Sequence, residues 1–96
     1  MNAAITATVI RLDGELTIYR AAELKPMLLP LPAGEGAVEI DLSGVDEIDT
    51  AGVQLLLLAR REAQGLEREL KLVGRSRAVD DALTLLNLQA EFGAAA

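Results

Sequence analysis

Apolar and polar residues alternate over residues 5–12 (ITATVIRL), a run rich in β-branched types, and this period of two predicts a half-buried strand. Asp13-Gly14 follows with the two-residue signal of a tight hairpin turn, and Glu15 to Ile18 reads as the returning strand. From Tyr19 the pattern changes to helix formers, Ala21 to Leu29, with Pro26 among them as a kink or a late start. Pro30 and Pro32 stop that helix, and Ala33-Gly34-Glu35-Gly36 is a loop. Residues 37–42 (AVEIDL) form a short buried strand, Ser43-Gly44 a turn, and Val45 to Ile48 a brief extended piece. The strongest helix of the chain runs from Ala51 to Gly65. A strand over residues 69–73 closes at Gly74, and Ser76 caps a last helix whose apolar stripe is Val79, Ala82, Leu83 and Leu86. The tail from Asn87 is expected to fray, with residues 89–96 flexible and Phe92 the one residue with reason to fold back.

The order ββαβαβα predicts the α/β class: a mixed sheet of about four strands, its first pair a hairpin, with helices layered on it. With 96 residues there is room for one domain, here residues 1–96 with a core over 5–88.

Composition narrows the function. The chain is 51% hydrophobic but only 2% aromatic, so it lacks the flat faces on which bases and sugars stack. A net charge of −6 repels phosphate backbones, which removes nucleic acid as a partner. There is no Cys and no His, hence no disulfide, no thiolate and no imidazole base or ligand. That excludes most hydrolase triads and most transition-metal sites. No apolar run approaches the ~18 residues of a membrane span. The N-terminus (MNAAITATVIRLDGE) lacks a basic leader. The expectation is a cytoplasmic protein that does not span a membrane.

The densest signal is residues 41–58, DLSGVDEIDTAGVQLLLL. A strand ends in an acid, a turn follows, and Asp49-Thr50-Ala51-Gly52 opens the long helix. Asp49 and Thr50 are both natural N-cap residues, and Gly52 lets another backbone come close to the first turn. At about 100° per residue, Gly52, Leu55, Leu56, Ala59, Ala63 and Leu66 make the core stripe. Val53 and Leu57 fall on the other side among Gln54, Arg60, Arg61 and Gln64, with Thr50 projecting the same way. An apolar centre in a polar rim has the form of a protein-binding patch. Two readings stay open for Val53 and Leu57: they face a partner, or the first helix covers them.

These residues resemble the signature of the STAS family (sulfate transporter and anti-sigma-factor antagonist), D-L-S-x-V-x-x-I-D-S-S-G-L followed by an apolar helix. The chain reads Asp41-Leu42-Ser43-Gly44-Val45, then Ile48-Asp49-Thr50-Ala51-Gly52-Val53, and the similarity spans Ile5 to Leu88. The family's usual last strand and helix are shortened or missing after Leu88. The resemblance implies a single STAS-like domain, a non-enzymatic module of bacterial signalling that binds a protein partner and switches partners, with no cofactor. In the family's anti-sigma-factor antagonists a kinase phosphorylates the Ser immediately before the Gly. Here that position is Ala51, and the hydroxyl has moved to Thr50. Thr50 is therefore the candidate phosphorylation or switch residue, and Asp49, Thr50, Val53, Gln54, Leu57 and Arg61 form the candidate protein-binding set. A D-T-A-G pattern resembles two subgroups, chemotaxis-associated STAS proteins and STAS subunits that bind the ATPase of phospholipid-transport ABC systems. The partner is thus expected to be an anti-sigma-factor-like kinase, a chemotaxis-type signalling protein or an ABC ATPase.

Three rivals compete. Asp41, Asp46, Glu47 and Asp49 cluster in sequence and could hold magnesium or do acid–base work, though solvated turn acids are the commoner case. A nucleotide-binding module would need base recognition, which the aromatic shortage denies. A homo-dimer could use Val53 and Leu57 as readily as a foreign partner. The runs EIDLSGVDEID and RREAQGLERELK read as solvated faces, with weak ion pairs among Arg60, Arg61 and Glu62.

Overall fold

A computed structural model describes residues 8–92: β1 (Thr8–Leu16), α1 (Ala21–Leu28), β2 (Val38–Ile48), α2 (Thr50–Gly65), β3 (Leu70–Val73), α3 (Arg77–Leu85) and α4 (Gln89–Phe92). The strands form one sheet in the order β1-β2-β3, and both pairings are parallel. The α/β class holds, with three strands among the described residues where about four were expected. Residues 5–7 of the expected first strand lie outside the described residues.

The expected hairpin is not formed, and the sheet described here is parallel rather than mixed. β1 runs on through Asp13-Gly14, with Gly14 at φ +77° inside the strand. β2 likewise continues through Ser43-Gly44. The turn signals are absorbed as register irregularities: Arg11 pairs with Asp41 but Asp13 with Gly44, and Gly14 pairs with Val45 but Glu15 with Glu47. Each step leaves β2 one residue in excess, the arrangement of a bulge. At Gly44 an added Cβ would meet the Asp13 carboxylate, an exposed side chain that would have to move aside. Arg20 fixes the β1 side, its Nη1 donating to the carbonyls of Asp13 at 2.6 Å and Glu15 at 2.9 Å.

The period of two that marked a half-buried strand is explained by the cover of the sheet. Parallel sheets are commonly covered on both faces and read as continuous apolar runs. Among the described residues this one is covered on one face only. Ile10, Leu12, Ile40, Leu42 and Leu72 are buried beneath the helices, while Val9, Arg11, Asp13 and Lys71 point to the open side. On that side Arg11 bridges Asp13 at 3.0 Å and Asp41 at 3.3 Å.

The helices follow the sequence closely. α1 ends at Leu28, just before the prolines, and buries Leu24 and Leu28. α3 starts at Ser76, whose hydroxyl accepts from the Val79 N–H at 3.3 Å, and buries Val79 and Leu83. Residues 89–92 form α4 instead of fraying. Phe92 is buried in the core, its carbonyl accepts from Arg75 Nη2 at 3.1 Å, and Glu91 pairs with Arg60 at 3.1 Å. The Arg60 pairing expected within α2 is thus made to α4. Residues 93–96 of the expected tail lie outside the described residues.

If Phe92 closes the core, Phe92→Ala leaves a cavity there and lowers unfolding free energy by about 3 kcal/mol. Urea denaturation checks this; a change below about 1 kcal/mol would show that α4 is peripheral.

Candidate functional site

Asp49 joins the end of β1 to the start of α2. Its carboxylate Oδ1 accepts from the Gly52 N–H at 3.1 Å, the N-cap bond that the sequence suggested. Oδ2 accepts from the Ile18 N–H at 3.0 Å, across from the other chain segment. The Asp49 N–H donates in turn to the Leu16 carbonyl at 3.2 Å. Gly52 makes the junction possible, because a Cβ there would overlap that same Leu16 oxygen. The Ile18 N–H beside Asp49 holds its carboxyl below the usual carboxylate range, aided by the N–H groups of Gly52 and Ala51 and opposed by desolvation.

Thr50 follows and is exposed on the first turn of α2. Beside it lies a cleft of about 140 Å³ between α2 and α3. Ile48, Asp49, Thr50 and Val53 line one side of it, and Ala82, Leu85 and Leu86 the other. Leu85 is 85% exposed and Leu86 is 43% exposed. Where β1 turns toward α1, Ile18 is 62% and Tyr19 91% exposed. Thr50 therefore shares this cleft with the exposed Leu85 and Leu86, and the Ile18 backbone is tied to Asp49 beside it. Asp46 and Glu47 add exposed acids on the approach to the helix.

Of the expected binding set, the structure brings Asp49, Thr50 and Val53 to this cleft and leaves Gln54 exposed one turn further along α2. Val53 is buried rather than a surface residue, and Leu57 is half-buried and packed on the core. The apolar centre expected from that pair is not on the surface. Neighbouring helices cover α2 over a wider arc than the stripe assumed. Leu66, by contrast, was placed in the core and is exposed, because it lies just past the end of the helix. Arg61 is exposed but ~16 Å along α2 from Thr50, at 1.5 Å per residue, so it belongs to a different part of the surface.

Sequence reasoning missed Ile18, Tyr19, Leu85 and Leu86. Ile18 was read as the end of a returning strand and Tyr19 as the start of the helical pattern, while Leu86 was placed on the core stripe of α3 and is instead 43% exposed. Leu85 was findable, since it sits about 200° around the helix from buried Leu83 and so must face away from the core.

The acidic cluster does not converge. Asp41 Oδ1 accepts from the Ser43 N–H at 2.9 Å and its hydroxyl at 2.7 Å, and Oδ2 faces Arg11 at 3.3 Å. The Ser43 N–H and hydroxyl, then Arg11, hold the Asp41 carboxyl low against desolvation. Asp49 is engaged separately, and no group of three acids among the described residues could hold a metal ion. No helix among them is long and apolar enough to cross a membrane.

A family model described as Mlab, STAS domain matches residues 2–92. No curated protein matches the chain. Among solved structures the chain is similar to a sulfate transporter family protein from Wolinella succinogenes, with a TM-score of 0.75 and 20% identity over 91% of this chain and 71% of that one. It is similar to a putative anti-sigma factor antagonist from Thermotoga maritima, at TM-score 0.73 and 19% identity, covering 92% and 79% of the two chains. The anti-sigma factor antagonist SpoIIAA in its unphosphorylated form gives TM-score 0.68 and 21% identity, covering 100% of this chain and 84% of that one.

A carboxyl with a depressed folded-state pKa stabilises the fold above its unfolded-state value of about 3.9 and loses that contribution as pH falls through the lower folded value. Asp49→Asn abolishes this titration while keeping a capping oxygen. Acid unfolding of the variant should therefore be shallower below about pH 4 than that of the wild type, with Asp41 supplying part of the slope in both. Identical profiles would remove Asp49 from the account.

Proposed function

Because the chain belongs to the STAS domain family, we propose that it is a non-enzymatic regulatory module that binds a protein partner on the surface centred on Thr50. The fold it shares with anti-sigma factor antagonists supports a regulatory, protein-binding role. The observation that carries the placement is the exposed Thr50 at the rim of a cleft that it lines together with Val53 and the exposed Leu85 and Leu86. A partner side chain entering that cleft gains apolar burial, and the hydroxyl supplies a directional contact at its mouth. Asp46 and Glu47 favour a partner that is basic around its docking residue.

In this reading negative charge on Thr50 releases the partner. The local geometry favours such charge less than a free helix start would, because Asp49 already accepts from the Gly52 N–H there. A phosphoryl group on Thr50 would stand beside that carboxylate with little compensation, and would enter the interface as bulk and charge. Partner switching of the anti-sigma-factor antagonist type, with Thr50 as the phosphorylated residue, follows if a kinase acts there.

A second reading has the chain as a standing subunit on the ATPase of a phospholipid-transport ABC system, with Thr50 as a permanent hydrogen-bonding anchor. Two observations favour it. Ala51 has no hydroxyl at the position where the family's switch serine stands, and the matching family model is described as Mlab.

The test is a quantitative pull-down from native cells with wild-type, Thr50→Val and Thr50→Glu baits, folding checked by circular dichroism. Thr50→Glu should reduce recovery of the specific partner at least tenfold. Thr50→Val should cost about 1 kcal/mol, roughly fivefold in affinity. A signalling kinase, phosphatase or chemotaxis component among the lost proteins supports switching, and an ABC ATPase supports the second reading. Equal recovery by all three baits would refute the Thr50 surface.

A further inference from the structure

The C-terminal half of α2 carries a second surface that the Thr50 site does not use. Pro30, after α1, and Leu58, Gly65 and Leu66 line an open groove of about 790 Å³. Leu58 is 41% exposed and Leu66 51%. At about 100° per residue, Leu58 and Gly65 lie nearly above one another on α2, with Arg61 to one side and Glu62 to the other. A Cβ added at Gly65 would meet nothing within 4 Å, so the backbone there is open to close approach.

The Arg61 guanidinium is set apart from the other arginines of this molecule. Among the described residues Arg11, Arg20, Arg60, Arg75 and Arg77 are ion-paired, and Arg68 donates to the carbonyls of Pro32 and Gly36. Arg61 is the arginine there with neither an ion pair nor a hydrogen bond, and the neighbouring Glu62 carboxylate likewise has none.

We propose that this groove is where two copies of the chain meet, their α2 helices side by side about a two-fold axis running along them. In a parallel pairing, opposite flanks of the two helices face each other. Arg61 of each copy then meets Glu62 of the other, while Leu58 meets Leu58 and Gly65 meets Gly65. Charge complementarity selects this occupant. The chain carries −6 overall, yet the patch offers one cation and one anion placed so that a second copy neutralises both. A uniformly basic or acidic partner would leave one of them facing like charge. An antiparallel pairing would set Arg61 against Arg61 and Glu62 against Glu62. The parallel arrangement leaves both Thr50 surfaces open and facing the same way, so the dimer is a bivalent binder.

Sedimentation equilibrium of the full chain over a wide concentration range tests this. The wild type should approach twice the monomer mass of 10.2 kDa. Arg61→Glu and Glu62→Arg should each weaken self-association at least tenfold. The double swap should restore it, and an equimolar mixture of the two single variants should associate although neither does alone. Gly65→Leu should weaken the dimer without unfolding the monomer, since its side chain enters open space. Thr50→Glu should dimerise like wild type, which separates this contact from the proposed binding site. A wild type that stays monomeric, single variants that self-associate unchanged, or a mixture that stays monomeric would overturn the proposal.

Discussion

The Asp49 carboxylate makes the interaction on which the surface around Thr50 depends. One oxygen caps α2 through Gly52 and the other holds the Ile18 N–H, so two segments distant in sequence end at one side chain. A neutral cap would satisfy the helix alone. A carboxylate with two oxygens can satisfy both donors at once, and ionisation strengthens both bonds. The missing side chain at Gly52 completes the junction by letting the first turn of α2 rest on the Leu16 carbonyl. Thr50, one residue further on, is thereby fixed in position without its hydroxyl being used for the purpose.

From that junction the geometry of the surface follows. The end of β1 is held against the start of α2, so Ile18 and Tyr19 emerge beside Thr50. On the other side α3 brings Leu85 and Leu86 to the edge of the cleft. The described residues cover the sheet beneath on one face only, and its other face carries a charged network around Arg11. Uncovered apolar area concentrates instead at the two ends of α2, one beside Thr50 and one beside Gly65. Patches of this kind on a small domain mark interaction sites.

Much of this was legible in the sequence where a local signal had a single physical meaning. Ser76 could only be a cap, Pro30 and Pro32 could only stop a helix, and the Asp49–Gly52 run could only open one. The signals with two meanings were misread. Asp13-Gly14 specifies a turn when flanked by antiparallel strands and a bulge when the strand continues, and nothing local distinguishes them. The alternation of residues 8–13 reports one covered face, not the direction of the neighbouring strand. Val53 lay on the polar arc of α2, yet the fold buries it at the cleft shared with α3, and that tertiary burial has no local trace. The position of Thr50 was readable from the motif; the leucines of α3 that stand opposite it came from the fold.

The central claim is that a partner docks at the junction of β1, α2 and α3. Backbone amide shift mapping of the isotope-labelled chain, titrated with the partner that wild-type bait recovers, tests it most directly. Docking there shifts the amides of residues 18–19, 48–54 and 82–86 and leaves those of Val9 to Asp13 and of β3 unmoved. A footprint centred on the open face of the sheet, with residues 48–54 silent, would contradict it.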